Sequence, residues 1–291
     1  MSKIAFIGLG AMGLPMAENL RKAGHDVIGY DVHEAARAAF QAGGGRVAQS
    51  AAEAARGAEF LVLMVVNADQ AEQVLFDGGA AEALAPEGIV VLSATCPPRR
   101  AEELAARLEA LQRGMVDAPV SGGVVGARTG TLTIMASAPD RIYERAEPHL
   151  KIMGSKLVRV GDRAGQGAMV KTINQLLCGI HIAAAAEAMS LAERAGLDTK
   201  MLLGIYGESA AASWMLNNRG PRMIGDNPEV ASAIDIFVKD LGIVLDAGRA
   251  AKAPLFLSAV AHQLFIAASS LGLGRADDSQ VIAAYRALSP S

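Results

Sequence analysis

Apolar positions along this chain change their period once. Up to about residue 160 they come in short unbroken runs: KIAFI from Lys3 to Ile7, FLVLMVV from Phe60 to Val66, GIVVL from Gly88 to Leu92. Such runs do not alternate with polar residues, which is how strands covered on both faces read. Further strands are predicted at His25 to Tyr30, Met115 to Pro119, Thr131 to Ala136 and Lys156 to Val160. Between several of them lie helical stretches such as LPMAENLRKAG and RRAEELAARLEALQR. Strand and helix in alternation predict a mostly parallel, doubly wound sheet.

Beyond Gly161 the strand signals stop. Helical patterns are predicted over 166–195, 199–208, 213–220, 232–251, 255–270 and 277–287, punctuated by Gly196, Pro221, Pro228, Pro254 and the Gly272–Gly274 stretch. The first of these helices is apolar on most faces and would be about 45 Å long. Its polar residues Lys171, Asn174, Gln175, Cys178 and His181 follow at spacings of three and four and so share one stripe. A lysine turned toward an apolar interior must be paired, lie at a cleft or be functional. The expectation is a helix that joins two domains and carries a catalytic lysine.

Chemistry enters first at the N-terminus. Gly8, Leu9, Gly10, Ala11, Met12 and Gly13 form G-x-G-x-x-G between a strand and a helix, the context this motif requires. Gly8 would allow the tight turn, Gly10 the approach of a pyrophosphate, and Gly13 the close packing of helix on strand. Asp31 stands 18 residues after Gly13, at the end of the second strand. There it can accept from adenosine ribose hydroxyls and repel a 2′-phosphate, favouring NAD over NADP, or it is simply a turn residue. The fold class expected is an α/β N-terminal Rossmann-type domain, residues 1–162, plus an all-α C-terminal domain, residues 163–291.

Other candidates stand at strand ends, where cofactors lie in such sheets. Val66 ends one strand and Asn67 follows it at the strand edge. Thr95 follows another and reads equally as a helix-start signal. Ser121, Gly122 and Gly123 offer a hydroxyl and unhindered N–H groups suited to a carboxylate, or form an ordinary glycine turn. Lys239 and Asp240 interrupt an apolar helix and read locally as a solvated face. Trp214 reads as a packing anchor or a substrate contact. Cys96 has no base near it in sequence, and no histidine has a partner at metal-ligand spacing, so no metal is expected.

Composition narrows this further. The 291 residues carry a net charge of −3, with 52% hydrophobic and 20% charged residues and only two cysteines. Nucleic acid and anionic membrane surfaces are therefore not expected partners, and a reduced, cytoplasmic protein is. So apolar a helical half predicts a homodimer or homotetramer.

Four motifs, GLGAMG, DAPVSGG, GQGAMVKTIN and FVKDLG, occur in order over the whole chain. Together they resemble the β-hydroxyacid dehydrogenase family, which includes 3-hydroxyisobutyrate dehydrogenases and tartronate semialdehyde reductases. The resemblance implies that Lys171 is catalytic with Asn174 beside it, and that Ser121, Gly122 and Gly123 hold a substrate carboxylate. Thr95 and Lys239 would lie beside the nicotinamide. Two departures stand out: Gln175 replaces a second asparagine, and Leu92, Ser93, Ala94, Thr95 replaces Asp-x-Ser-Thr. The activity implied is NAD-linked oxidation of a small hydroxy acid. A non-catalytic NAD-binding regulatory module would need neither Lys171 nor the serine–glycine loop.

Overall fold

In the computed structural model, residues 1–225 and 228–288 are described. Two compact units are distinguished, Met1–Lys171 and Thr172–Ser291.

The first unit alternates as the apolar runs predict. Its elements are β1 (Lys3–Ile7), α1 (Gly13–Lys22), β2 (Asp26–Tyr30), α2 (Glu34–Ala42), β3 (Arg46–Val47), α3 (Ala51–Ala55), β4 (Phe60–Leu63), α4 (Ala68–Glu72) and α5 (Ala80–Ala83). There follow β5 (Ile89–Leu92), α6 (Pro98–Ala110), β6 (Gly114–Asp117), β7 (Val120–Ser121), α7 (Gly123–Thr129), β8 (Thr133–Ser137), α8 (Asp140–Met153) and β9 (Lys156–Gly161). The sheet order is β3-β2-β1-β4-β5-β6-β8-β7, with β9 paired to β8. From β3 to β6 every pairing is parallel; β8 then runs antiparallel to β6 and β7. Successive side chains of a strand face opposite sides, so each strand serves two cores. Ala5, Ile7, Leu61, Leu63, Val90 and Leu92 enter one, while Ile4, Phe6, Phe60, Val62, Ile89 and Val91 enter the other.

Three boundaries differ from expectation. The strand beginning at Phe60 ends at Leu63 rather than Val66, because Val66 and Asn67 are used to open α4. The strand expected over Thr131 to Ala136 runs from Thr133 to Ser137. Residues after the serine–glycine turn, expected as a loop, form α7; glycines at 122 and 126 masked its helical pattern.

The long helix α9 (Gln166–Arg194) begins in the first unit and ends in the second. The second unit continues with α10 (Thr199–Gly207), α11 (Trp214–Met223), α12 (Ile234–Ala251), α13 (Phe256–Ala268) and α14 (Ile282–Ala287). Pro221, expected to end a helix, lies inside the last turn of α11. Ile182, Met189, Leu241, Phe265, Val281 and Ile282 centre the core, with Phe237 stacked on Phe265 at 5.0 Å. Gly179 lets α9 and α12 meet closely, since a Cβ there would lie 2.8 Å from Leu241. Two helices, Gln166–Arg194 and the stretch Phe256–Leu273, are long and apolar enough to cross a membrane by length and composition alone.

Ion pairs tie the C-terminal segment into this core. Arg219 donates from Nε and Nη2 to the two oxygens of Asp278, at 2.6 and 2.9 Å, with both side chains buried. Asp277, predicted as a helix start, accepts from Ser279 N–H as a cap and also pairs with Arg222 at 2.7 Å. Removing one partner of a buried pair strands the other charge. Asp278→Ala is expected to destabilise the protein by about 3–5 kcal/mol, read as a lower urea midpoint; a change below about 1 kcal/mol would show the pair to be solvated.

Candidate active site

The glycine loop between β1 and α1 has the shape a dinucleotide needs. Gly8 has φ +96°, and a Cβ there would come within 2.4 Å of the Met64 carbonyl oxygen. At Gly13 a Cβ would lie 1.8 Å from the Gly8 carbonyl oxygen, so only glycine lets α1 start this close to β1. Around Gly10 nothing lies within 4 Å of the position a Cβ would take. That cradle of open space beside the start of α1 fits a pyrophosphate. Met12, the residue before the helix, supplies no side-chain cap, so no cap hydrogen bond competes with an anion there.

Asp31 does more than end β2. Its Oδ2 accepts the Leu9 N–H at 2.8 Å and its Oδ1 accepts the His33 N–H at 2.9 Å, with the His33 ring Nδ1 at 3.0 Å. One carboxylate therefore ties the glycine loop to the turn after β2. Asn67 caps α4, accepting the Gln70 N–H at 2.9 Å, while the Val66 N–H donates to Gln70 Oε1. Val66 itself is exposed. Thr95 is half-buried in the turn after β5 and does not cap α6, whose cap position is Pro97. Nearby, Ser93 is a buried residue that sequence reasoning noted only as a departure; its hydroxyl finds no hydrogen-bond partner among the described residues.

Ser121 pairs with Thr133 across β7 and β8, and Gly122 and Gly123 turn at φ +128° and +63° where α7 begins. Both values lie in the left-handed region that favours glycine. Open space surrounds Gly123, whereas a Cβ on Gly122 would press on Leu132.

Lys171 is 7% exposed, at the second turn of α9. The polar stripe is only partly an interior one. Lys171, Gln175 and Cys178 are buried and Asn174 is half-buried, but His181, the last residue of the stripe, is exposed in the chain. Nor is α9 covered all round, since Ile173, Leu177 and Leu191 are exposed.

Within the second unit, Gln175 Nε2 donates to Asp240 Oδ2 at 2.6 Å, and Lys239 Nζ forms a close ion pair, 2.7 Å from Asp240 Oδ1. Asp240 is almost fully buried and Lys239 largely so, which overturns the solvated-face reading of both. Trp214 is 57% exposed at the start of α11, so it does not anchor the core of this chain. His262 Nε2 lies 3.0 Å from the Val238 carbonyl oxygen. Among the described residues no group of three or more His, Cys, Asp or Glu is placed to hold a metal ion.

One residue that sequence reasoning passed over proves central. Asp117, at the end of β6, is 1% exposed. Its Oδ2 accepts the N–H groups of Gly165 and Ala168, both at 2.9 Å, where α9 begins. Ser137 Oγ lies 3.4 Å from the same oxygen and accepts the Gly167 N–H at 3.0 Å. Burial pushes the Asp117 carboxyl up to about 6, against the opposing hydrogen bonds from Ala168, Gly165, Ser137 and Gly167. The sequence signal was there: a lone acid at the end of an apolar strand.

This fold and loop define a dinucleotide-binding oxidoreductase. Residues 3–161 match the family described as the NAD binding domain of 6-phosphogluconate dehydrogenase, and residues 165–285 that described as NAD-binding of NADP-dependent 3-hydroxyisobutyrate dehydrogenase. The chain is 47% identical over 280 residues to an L-threonate dehydrogenase of Cupriavidus necator, 96% of this chain and 94% of the relative. It is 36% identical to a 2-(hydroxymethyl)glutarate dehydrogenase of Eubacterium barkeri, over 96% and 93% of the two. The crystal structure of a 3-hydroxyisobutyrate dehydrogenase from Salmonella typhimurium matches with a TM-score of 0.91 at 43% identity, covering 96% of this chain and 98% of that one. The chain belongs to the β-hydroxyacid dehydrogenase family. It is an oxidoreductase acting on the CH–OH group of a small hydroxy acid with a nicotinamide cofactor.

The raised Asp117 carboxyl has a consequence for stability. Between about pH 4 and 6 the folded state holds a proton that the unfolded chain has released, so this group stabilises the fold at low pH. That contribution, about 3 kcal/mol, is lost as pH rises through 6. Asp117→Asn mimics the protonated form, so its melting temperature is expected to gain on wild type as pH goes from 4 to 7. A gap that stays constant over that range would place the titration elsewhere.

Proposed function

We propose that this chain oxidises L-threonate to 2-oxo-tetronate with NAD, using Lys171 as the general acid/base. The substrate rests on the identity to an L-threonate dehydrogenase over nearly the full chain. What carries the chemistry is a lysine buried on α9 in a chain of this family. We also take the functional boundary to fall at the turn before α9, with residues 1–162 binding the cofactor and 163–291 serving substrate binding and assembly.

NAD, when bound, supplies the acceptor for the hydride that leaves the carbinol carbon. Gly8, Leu9, Gly10, Ala11, Met12 and Gly13 would hold its pyrophosphate and Asp31 its ribose, with Val66, Asn67, Thr95 and Lys239 along the remainder. The protein's own task is the proton. Lys171 Nζ in its neutral form takes the hydroxyl proton as the carbonyl forms, and in reverse returns it to the carbonyl oxygen. Asn174, one turn further along α9, orients the lysine or the substrate oxygen. Ser121, Gly122 and Gly123 offer a hydroxyl and open N–H groups to the carboxylate, consistent with the space around Gly123. Trp214, exposed at the start of α11, offers a substrate contact.

Two buried cysteines accord with a cytoplasmic protein. Exposed Phe256, Leu257 and Val260 on α13 favour a homodimer or homotetramer, because large apolar side chains left in water mark interaction surfaces. Light scattering is expected to give two or four times the 30.0 kDa chain mass; a single-chain mass would refute it.

The activity is tested by NADH formation over L-threonate, D-threonate, D-glycerate, 3-hydroxyisobutyrate and 3-hydroxypropionate, each with NAD and NADP. Turnover of L-threonate with NAD, abolished in Lys171→Ala while NAD still binds, is expected. Preference for 3-hydroxyisobutyrate, or reduction of tartronate semialdehyde, would keep the mechanism and replace the substrate. NAD binding without any turnover would favour a regulatory module. Preference for NADP would refute the role given to Asp31.

A further inference from the structure

The mechanism above uses Lys171 but not the buried carboxylate of Asp117, at the end of β6, against which the helix bearing that lysine begins. We infer that Asp117 is a positioning residue, whose carboxylate moors the first turn of α9 and thereby holds Lys171 in its working place. The inference rests on the reading of Lys171 as the proton carrier.

The geometry that carries it lies wholly within the first unit. An α-helix leaves its first N–H groups without intrahelical partners. Here those groups are taken by two side chains from neighbouring strand ends: Gly165 and Ala168 donate to Asp117, and Gly167 donates to Ser137. Asp117 and Ser137 are register partners across β6 and β8. The helix start is therefore fixed to two strands at once. Lys171 follows Ala168 by three residues, so a shift of that first turn carries the lysine with it.

Two glycines make this closeness possible. Gly165 has φ +89°, a conformation that aims its N–H at the carboxylate and that other residues adopt at a cost. At Gly167 a Cβ would lie 2.6 Å from the carbonyl oxygens of both Asp117 and Met135. Any side chain at 167 would lift the helix from the strands. The GQG sequence before the lysine helix is thus a docking feature, and its counterpart is the first residue of DAPVSGG. Those two motifs lie 48 residues apart in the chain, as the Gly165–Asp117 bond records.

Displacing a reacting group by about 1 Å can cost on the order of a hundredfold in rate, whereas binding of the dinucleotide depends on β1, β2 and the glycine loop. The test is therefore a split between those two readouts. Asp117→Ala is expected to lower kcat for the best substrate of the panel by about tenfold or more, with its KM and the NADH dissociation constant changed less than threefold. Amide hydrogen exchange over residues 165–171 should quicken in the same variant. Asp117→Asn keeps a side-chain oxygen to accept both N–H groups and should restore kcat to within about threefold of wild type. If Asp117→Ala does not fold, Ser137→Ala carries the test, with a several-fold lower kcat and faster exchange at Gly167.

Wild-type kcat in the alanine variants would overturn the inference, and so would unchanged exchange. An Asp117→Asn enzyme as poor as Asp117→Ala would also overturn it, because charge rather than tethering would then matter. Lys171→Ala separates the two readings. If it is inactive while Asp117→Ala is normal, only the mooring fails; if it stays active, the role of the lysine itself fails.

Discussion

The constraint on which the rest depends is the contact between the start of α9 and the ends of β6 and β8. A buried carboxylate and a buried hydroxyl accept three N–H groups there, and two glycines remove the side chains that would stand in the way. Buried polar groups cost free energy unless they are satisfied, so the arrangement admits one geometry. It also spans elements far apart in sequence. A helix of 29 residues thereby acquires a defined origin, and Lys171 in its second turn inherits its position from that origin.

The glycine loop works by a related logic at the end of β1. Gly8 and Gly13 are fixed by what a Cβ would strike, while Gly10 is defined by the absence of anything nearby. Asp31 then holds the loop through Leu9. Its carboxylate has a structural bond on each oxygen, so the acid proposed to meet the ribose is also part of the loop's own framework. In the second unit Gln175, Asp240 and Lys239 form a comparable buried chain, where the family resemblance would place an asparagine at 175.

Strands and helices were legible wherever the hydrophobic period was unbroken. FLVL and IVVL are covered on both faces and read as such, and the helices of the second unit were readable from their punctuation. Legibility failed where a residue had two duties. Asn67 reads as the end of a strand but caps a helix; Gly122 and Gly126 read as a loop but flank and enter α7; Pro221 reads as a terminator but falls in the last turn of α11. Trp214 reads as a packing anchor or a substrate contact, and its exposure removes the first reading. Of the candidate site, the tight glycine turn and the burial of Lys171 were visible because spacing marks them.

By itself, then, the sequence determined the order of strands and helices, the glycine turn after β1 and the spacing of the polar residues along α9. All of these are written in local periods and in residues a few positions apart. Tertiary structure alone decided that Asp117 meets Gly165 and Ala168, that Gln175 meets Asp240, and that Arg219 meets Asp278. Each such pair joins residues roughly fifty or more positions apart, and whether a polar side chain is satisfied or stranded depends on which distant backbone or side chain arrives beside it. No local pattern encodes that.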